Sequence, residues 1–243
     1  MAKNENQETR TSIDELNDTL TRAEMKVQDN KKFIMWLCIA VAAIVVIVLI
    51  YIYAILRPGK ERSNTNYGLA ALKETVYNIE QQQGLDSASS AQRLAEVAKA
   101  YETVAESGGH DGGNNATLMA AVYEYKLGNY EKALEYLDDY DKQDNIIAAT
   151  SRSLAGDCYV NLDKFDEAIS AYRDACSLSD NNPVLIPMFK VKEATVQRHL
   201  KNYAAEAELY QEIIDNYPES TMNLGIDVET YLARAKANAG AAK

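Results

Sequence analysis

The sequence predicts an all-α chain: one apolar N-terminal helix followed by a solenoid of helical hairpins. Three observations carry this. Residues 33–56 form an uncharged run, FIMWLCIAVAAIVVIVLIYIYAIL. Three short phrases recur: Leu127-Gly128-Asn129-Tyr130, Leu162-Asp163-Lys164-Phe165 and Leu200-Lys201-Asn202-Tyr203. Around each phrase, small and bulky residues fall at fixed offsets with helical period.

The N-terminal tail, residues 1–32, comes first. Ser12-x-x-Glu15 reads as a capping box, and Ile13, Leu16, Leu20, Ala23 and Val27 then recur at spacings of 3, 4, 3 and 4. The expectation is a short amphipathic helix leading into the apolar run, with a docking helix or dimer seam as the sharper alternative, because two heptads are marginal alone.

The apolar run is 24 residues, about 36 Å at helical rise, enough to span a bilayer with some tilt. Trp36 lies near one end and Tyr51 and Tyr53 near the other, where aromatic rings prefer the interface. A core helix this long is rarely apolar on every face. A cleaved signal peptide is shorter and begins earlier, and Leu37 is the wrong neighbour for a lipid-modified Cys38. The run therefore reads as a transmembrane signal anchor, ended by Arg57-Pro58-Gly59 and followed by a linker over 57–66. Arg22, Lys26, Lys31 and Lys32 flank its N-terminal side, against Arg57, Lys60 and Arg62 on the other. That bias favours a cytoplasmic N-terminus.

Charge excludes some functions. The chain has 243 residues, 25 basic and 36 acidic, for a net charge of -11. Residues 1–32 hold 6 basic and 7 acidic residues, so the part after the run carries -10. An acidic domain repels phosphate backbones and gains nothing from anionic lipid, so no nucleic-acid partner is expected. Cys158 and Cys176 fall on two antiparallel helices, offset by about 12 Å at helical rise. That is too far for a disulfide, and both read as core residues.

The repeats begin after Gly113. The aromatic residues of the phrases are 35 and 38 residues apart. Six residues before each leading Leu stands a small residue: Ala121, Gly156 and Ala194. Ala133 and Ala168 follow their small partners by 12 residues, and Leu137, Tyr172 and Tyr210 lie seven beyond each aromatic. Physically this is a stacked helical hairpin. Small residues allow close crossing, the aromatic plugs the hairpin end, and the bulky residue faces the next unit. Pro183 and Pro218 break helices between units. Upstream, 67–80 and 88–106 read as helices of a degenerate first hairpin (67–106), separated from the repeats by the Gly-rich segment 107–113. Three repeats occupy 114–220, and 226–238 reads as a capping helix.

This pattern resembles the tetratricopeptide (TPR) repeat. Ala121, Gly156, Ala133, Ala168, Tyr130, Phe165, Tyr172 and Pro218 fall on its signature positions. The third unit departs, with Glu206 where Ala is expected. The resemblance implies a peptide-binding groove lined by Leu118, Val122 and Tyr125 in the first unit, Ser153, Asp157 and Val160 in the second, and Val191, Thr195 and Arg198 in the third.

No catalytic constellation is legible. Gly108-Gly109-His110-Asp111-Gly112-Gly113 has no strand before it and no Gly-Lys-Ser/Thr after it, and reads as a flexible connector. His110 and His199 lack partners at metal-ligand spacing. No enzyme activity, cofactor, metal or small-molecule substrate is expected. Asn115-Ala116-Thr117 is a glycosylation sequon, meaningful only in a eukaryotic secretory setting.

A charged tail, one signal anchor and a C-terminal repeat domain together resemble the YfgM-type ancillary subunit of the bacterial Sec translocon. The final repeat, ending Ile213-Ile214-Asp215-Asn216-Tyr217-Pro218-Glu219-Ser220, is the most telling piece. That resemblance implies a bacterial inner-membrane protein with its repeat domain in the periplasm. The partners it implies are translocon subunits, a membrane-anchored periplasmic chaperone and exported chains. The alternative is an anchored, cytosol-facing receptor for protein import or complex assembly. Receptors of that kind that dock chaperone tails use a Lys/Asn clamp, and Leu118, Val122, Ser153 and Asp157 do not supply one.

Overall fold

The structure, a computed structural model, describes residues 31–107, 111–142 and 144–241. The expected tail helix lies outside them. The chain divides into two compact units, Met1–Gly59 and Lys60–Lys243, and all regular elements among the described residues are helical.

In the first unit, α1 (Lys31–Tyr51) is followed by a π-helical turn, Ile52–Leu56. The stretch is long and apolar enough to cross a membrane. The guanidinium of Arg57 lies over the Tyr53 ring, 4.8 Å from its centroid.

Arg57-Pro58-Gly59 does not stop the helix: these residues and the rest of the linker expected over 57–66 lie in α2 (Arg57–Gln82). The reason lies one turn earlier. A proline inside an α-helix lacks a donor and crowds the carbonyl four residues back. The π-turn widens the helix there, with the Arg57 N–H bonded to the Ile52 carbonyl, and accommodates Pro58.

The second unit continues with α3 (Ser87–Glu106), α4 (Asp111–Leu127), α5 (Tyr130–Asp139), α6 (Asn145–Asn161), α7 (Phe165–Leu178), α8 (Leu185–His199), α9 (Tyr203–Asn216), a 3-10 turn (Pro218–Asn223) and α10 (Val228–Ala241). Asp86 starts α3 by accepting the N–H groups of Ala88 and Ser89, and Asp144 starts α6 through Ile146 and Ile147, as short carboxylates do at N-caps.

The recurring phrases are three copies of one turn. In each, the second residue has positive φ: 85° at Gly128, 56° at Asp163 and 62° at Lys201. In each, the third residue's N–H reaches a carbonyl five positions back: Asn129 to Glu124 at 2.9 Å, Lys164 to Tyr159 at 2.9 Å and Asn202 to Gln197 at 2.8 Å. This is the Schellman ending. Only glycine adopts its left-handed residue without strain, so Lys201→Gly is expected to stabilise the domain by about 1 kcal/mol. Chemical denaturation at unchanged m-value checks this.

Between the turns, small residues sit where paired helices cross. Ala121, Ala133, Ala168 and Ala194 are all fully buried, and α6 crosses α7 at Gly156, where Tyr172 covers the missing side chain. Tyr67, Tyr101 and Tyr123 form an aromatic column through α2, α3 and α4, with centroids 5.8 and 5.6 Å apart. Gly112 and Gly113, expected in a flexible connector, are buried in the first turn of α4. A Cβ on Gly112 would stand 2.7 Å from the backbone of Ser63, so here the glycine permits close helix approach. Cys158 is buried, and Cys158 and Cys176 are both free thiols.

The third hairpin closes differently. Glu206 is fully buried and pairs with Arg234 of α10 at 3.0 Å. Tyr210 and Tyr231 meet edge to face beside it. The residue that breaks the repeat pattern is thus the attachment point of the terminal helix.

Candidate functional site

The groove positions lie on α4, α6 and α8, the first helix of each hairpin. Three of them converge. Lys192, at the middle of α8, donates to Asp157 Oδ2 at 2.6 Å and to Ser153 Oγ at 3.1 Å. The other oxygen of Asp157 accepts the Tyr172 hydroxyl at 2.8 Å, and the Lys192 ammonium lies 5.8 Å from the Tyr172 ring centroid. Burial and the adjacent Asp157 carboxylate push the Tyr172 phenol up. Tyr125 feels the same carboxylate: burial, then Asp157, push its phenol up. Its ring tilts against Tyr130 at 5.6 Å.

The other groove positions are more dispersed. Leu118 packs into the α4–α5 core with Ala121, Ala133 and Leu137. Val160 packs on Ala168, Ile169, Tyr172 and Val196, and Val191 on Ala194, Tyr210 and Ile213. Val122 is half-buried. Thr195 is exposed, its hydroxyl turned onto the Val191 carbonyl at 2.9 Å. Arg198 faces Tyr210, where burial and Glu206 push the phenol up and Arg198 and Arg234 oppose them.

Two members of the cluster were not legible as site residues: Lys192 and Tyr172, the latter read only as packing. A signal for Lys192 existed. It stands three residues, about one turn, before Thr195, which follows Asp157 by 38 residues, the spacing of the second and third aromatics, and in a solenoid equivalent helices of neighbouring units stand side by side.

Chemically, the arrangement offers an ammonium, a carboxylate and two hydroxyls bonded in one cluster, with the Tyr125 ring near the carboxylate. Burial and Asp157 push the neighbouring Cys158 thiol up to about 12, away from the thiolate form.

A second polar cluster joins α3, α4 and α5. Glu102 and Glu124 are 4% and 2% exposed. Lys132 pairs with both, at 3.1 Å to Glu124, Lys99 reaches Glu102 at 3.2 Å, and Asn129 donates to Glu124 at 2.6 Å. Burial pushes the Glu102 carboxyl up, but hydrogen bonds with Glu124, Lys132 and Lys99 outweigh it and hold it at about 2. Burial and the neighbouring Glu102 push Glu124 up, against Asn129 and Lys132. The two carboxyls thus share their protons unequally.

Residues 91–175 match the family model described as anaphase-promoting complex, cyclosome, subunit 3, and residues 191–220 match a tetratricopeptide repeat model. No curated protein matches the chain. Among solved structures, the crystal structure of MamA protein is 16% identical, with a TM-score of 0.46, covering 70% of this chain and 87% of that one. The repeats mark the domain as a protein–protein interaction scaffold.

Proposed function

We propose that this protein is a membrane-tethered, non-enzymatic scaffold. Residues 33–56 are its anchor, and the face centred on Asp157, Ser153, Lys192 and Tyr125 is its peptide- or protein-binding surface. The observation that carries the binding surface is the Lys192 cluster. It joins side chains from two successive hairpins into one polar patch on their first helices, flanked by Tyr125 and exposed Thr195. The anchor rests on the length and all-round apolarity of the run.

The finer reading places the N-terminus in the cytoplasm and the repeats in the periplasm of a bacterial inner membrane. The partners are translocon subunits, a membrane-anchored periplasmic chaperone and exported chains. Layout resemblance and the flanking charge bias support it. Tethering a groove beside the exit of newly exported chains raises its effective concentration for them without new contacts.

The experiment places a photocrosslinking residue at Thr195 of the full chain in native membranes. Recovery of translocon subunits or exported chains is the expected result. Recovery of cytosolic proteins alone overturns the periplasmic reading.

A further inference from the structure

The first helix of the repeat domain carries two apolar faces. One is used. Ser63 and Ala70 are buried, with Tyr67 and Tyr77 packed toward α3 and α4. On the opposite side, Leu69, Leu72, Val76 and Ile79 are exposed at 57, 59, 44 and 49%. Helical geometry sets that stripe roughly half a turn from the buried one. Leu72 and Val76 continue into a cleft of about 230 Å³ whose far wall includes Arg93, Glu96 and Val97 of α3.

The stripe has the spacing of a two-helix seam. Its four residues follow one another by 3, 4 and 3, the a and d positions of two heptads. The two ends of the domain also differ. At the C-terminal end, α10 covers the last hairpin. At the N-terminal end, no helix among the described residues covers the stripe, although terminal faces of solenoids are ordinarily polar.

The geometry points to α2 as a homodimerisation helix: two copies of this chain pair through Leu69, Leu72, Val76 and Ile79, in parallel and in register. Charge placement favours a second copy in that orientation. In a parallel pair, Lys73 stands across from Gly68 of the second copy and Glu80 across from Thr75 of the second copy. No like charges oppose. An antiparallel pair matching all four apolar residues brings the two Lys73 side chains together. Arg93 on the flank is neutralised by Glu80 and Glu96, each at 3.1 Å.

The stripe exposes on the order of 300 Å², the size of a functional patch and below what a stable soluble dimer buries. This dimer therefore rests on the anchor proposed above. α2 begins directly after the apolar run, so in copies held in one bilayer the helix starts at the same surface, and confinement supplies the effective concentration that two heptads lack.

The test uses the full chain in native membranes with Cys38→Ser as background. Under mild oxidation, Val76→Cys is expected to give a linked species of twice the chain mass. Asn78→Cys, exposed on another side of α2, is expected to stay single. Adding Leu72→Glu to Val76→Cys should cut the linked fraction about tenfold with helicity unchanged, because Leu72 is 59% exposed and a carboxylate there stays in water. A Val76→Cys chain that stays single, or that links to a different protein, overturns the pairing. Sedimentation of the same samples reads the anchor separately: a soluble chain that still links through Val76 keeps the pairing and overturns the anchoring.

Discussion

Lys132→Met is expected to destabilise the repeat domain by about 3 kcal/mol at neutral pH, the lower end for breaking a buried ion pair. The lower end applies because Lys132 itself is 45% exposed and partly screened. What remains is the problem: two carboxyls on α3 and α4, each almost without solvent, lose the ammonium between them. The pH dependence is diagnostic. In the native protein Glu102 is held below its unfolded value, so its contribution is present above that value and lost as pH falls toward about 2. Without Lys132 the buried carboxyls are raised. A raised carboxyl is least costly below its unfolded value, and stability is lost as pH rises through the folded one. The deficit should therefore be largest near pH 7 and shrink toward pH 4. Urea unfolding of the soluble fragment 60–243 across that range checks it. A deficit independent of pH would mean that Lys132 acts through packing of its stem.

Gly156→Ala is expected to cost about 2 kcal/mol. In a bare helix, Ala would gain about 1 kcal/mol over Gly. Here the new Cβ would stand 2.5, 2.8 and 2.9 Å from three atoms of the Tyr172 ring, a clash of the overpacking kind that costs about 1–3 kcal/mol or more. The ring has little freedom to retreat. It is 2% exposed, packs with Ala168, Ile169 and Val196, and its hydroxyl is bonded to Asp157. The double variant separates the causes: with Tyr172→Ala present, Gly156→Ala should become neutral or stabilising, a coupling that thermal unfolding of both singles and the double would measure. The same clash displaces Asp157 from Lys192, so a loss of partner crosslinking at Thr195 should accompany it.

The hairpin order was written in local chemistry. A Leu-x-x-aromatic phrase with a small residue six positions earlier marks one Schellman turn and one helix crossing, and both depend on residues within a turn or two of each other. The stop at Arg57-Pro58-Gly59 was the opposite case. Proline and glycine are local breakers, and the helix persists there because the π-turn immediately before Pro58 removes the conflict. The Gly-rich segment before α4 misled for a related reason: glycine marks flexibility and close packing with the same letter, and only the approach of Ser63 assigns Gly112 to the second.

By itself the sequence determined an all-α protein with an apolar N-terminal helix, three hairpins and a terminal helix, because helical period, breakers and small-residue spacing are short-range properties. It also named Ser153, Asp157 and Tyr125. The tertiary structure decided which side chains those residues meet. Lys192 is set against Asp157 and Ser153 by the stacking of successive hairpins. Glu206, a departure from the repeat pattern, becomes the seat of Arg234 only when α10 folds back. The apolar face of α2 is known to be uncovered only once the inward face is seen to be filled. Each of these depends on contacts between residues roughly 30 or more apart along the chain, and period or propensity carries no record of such contacts.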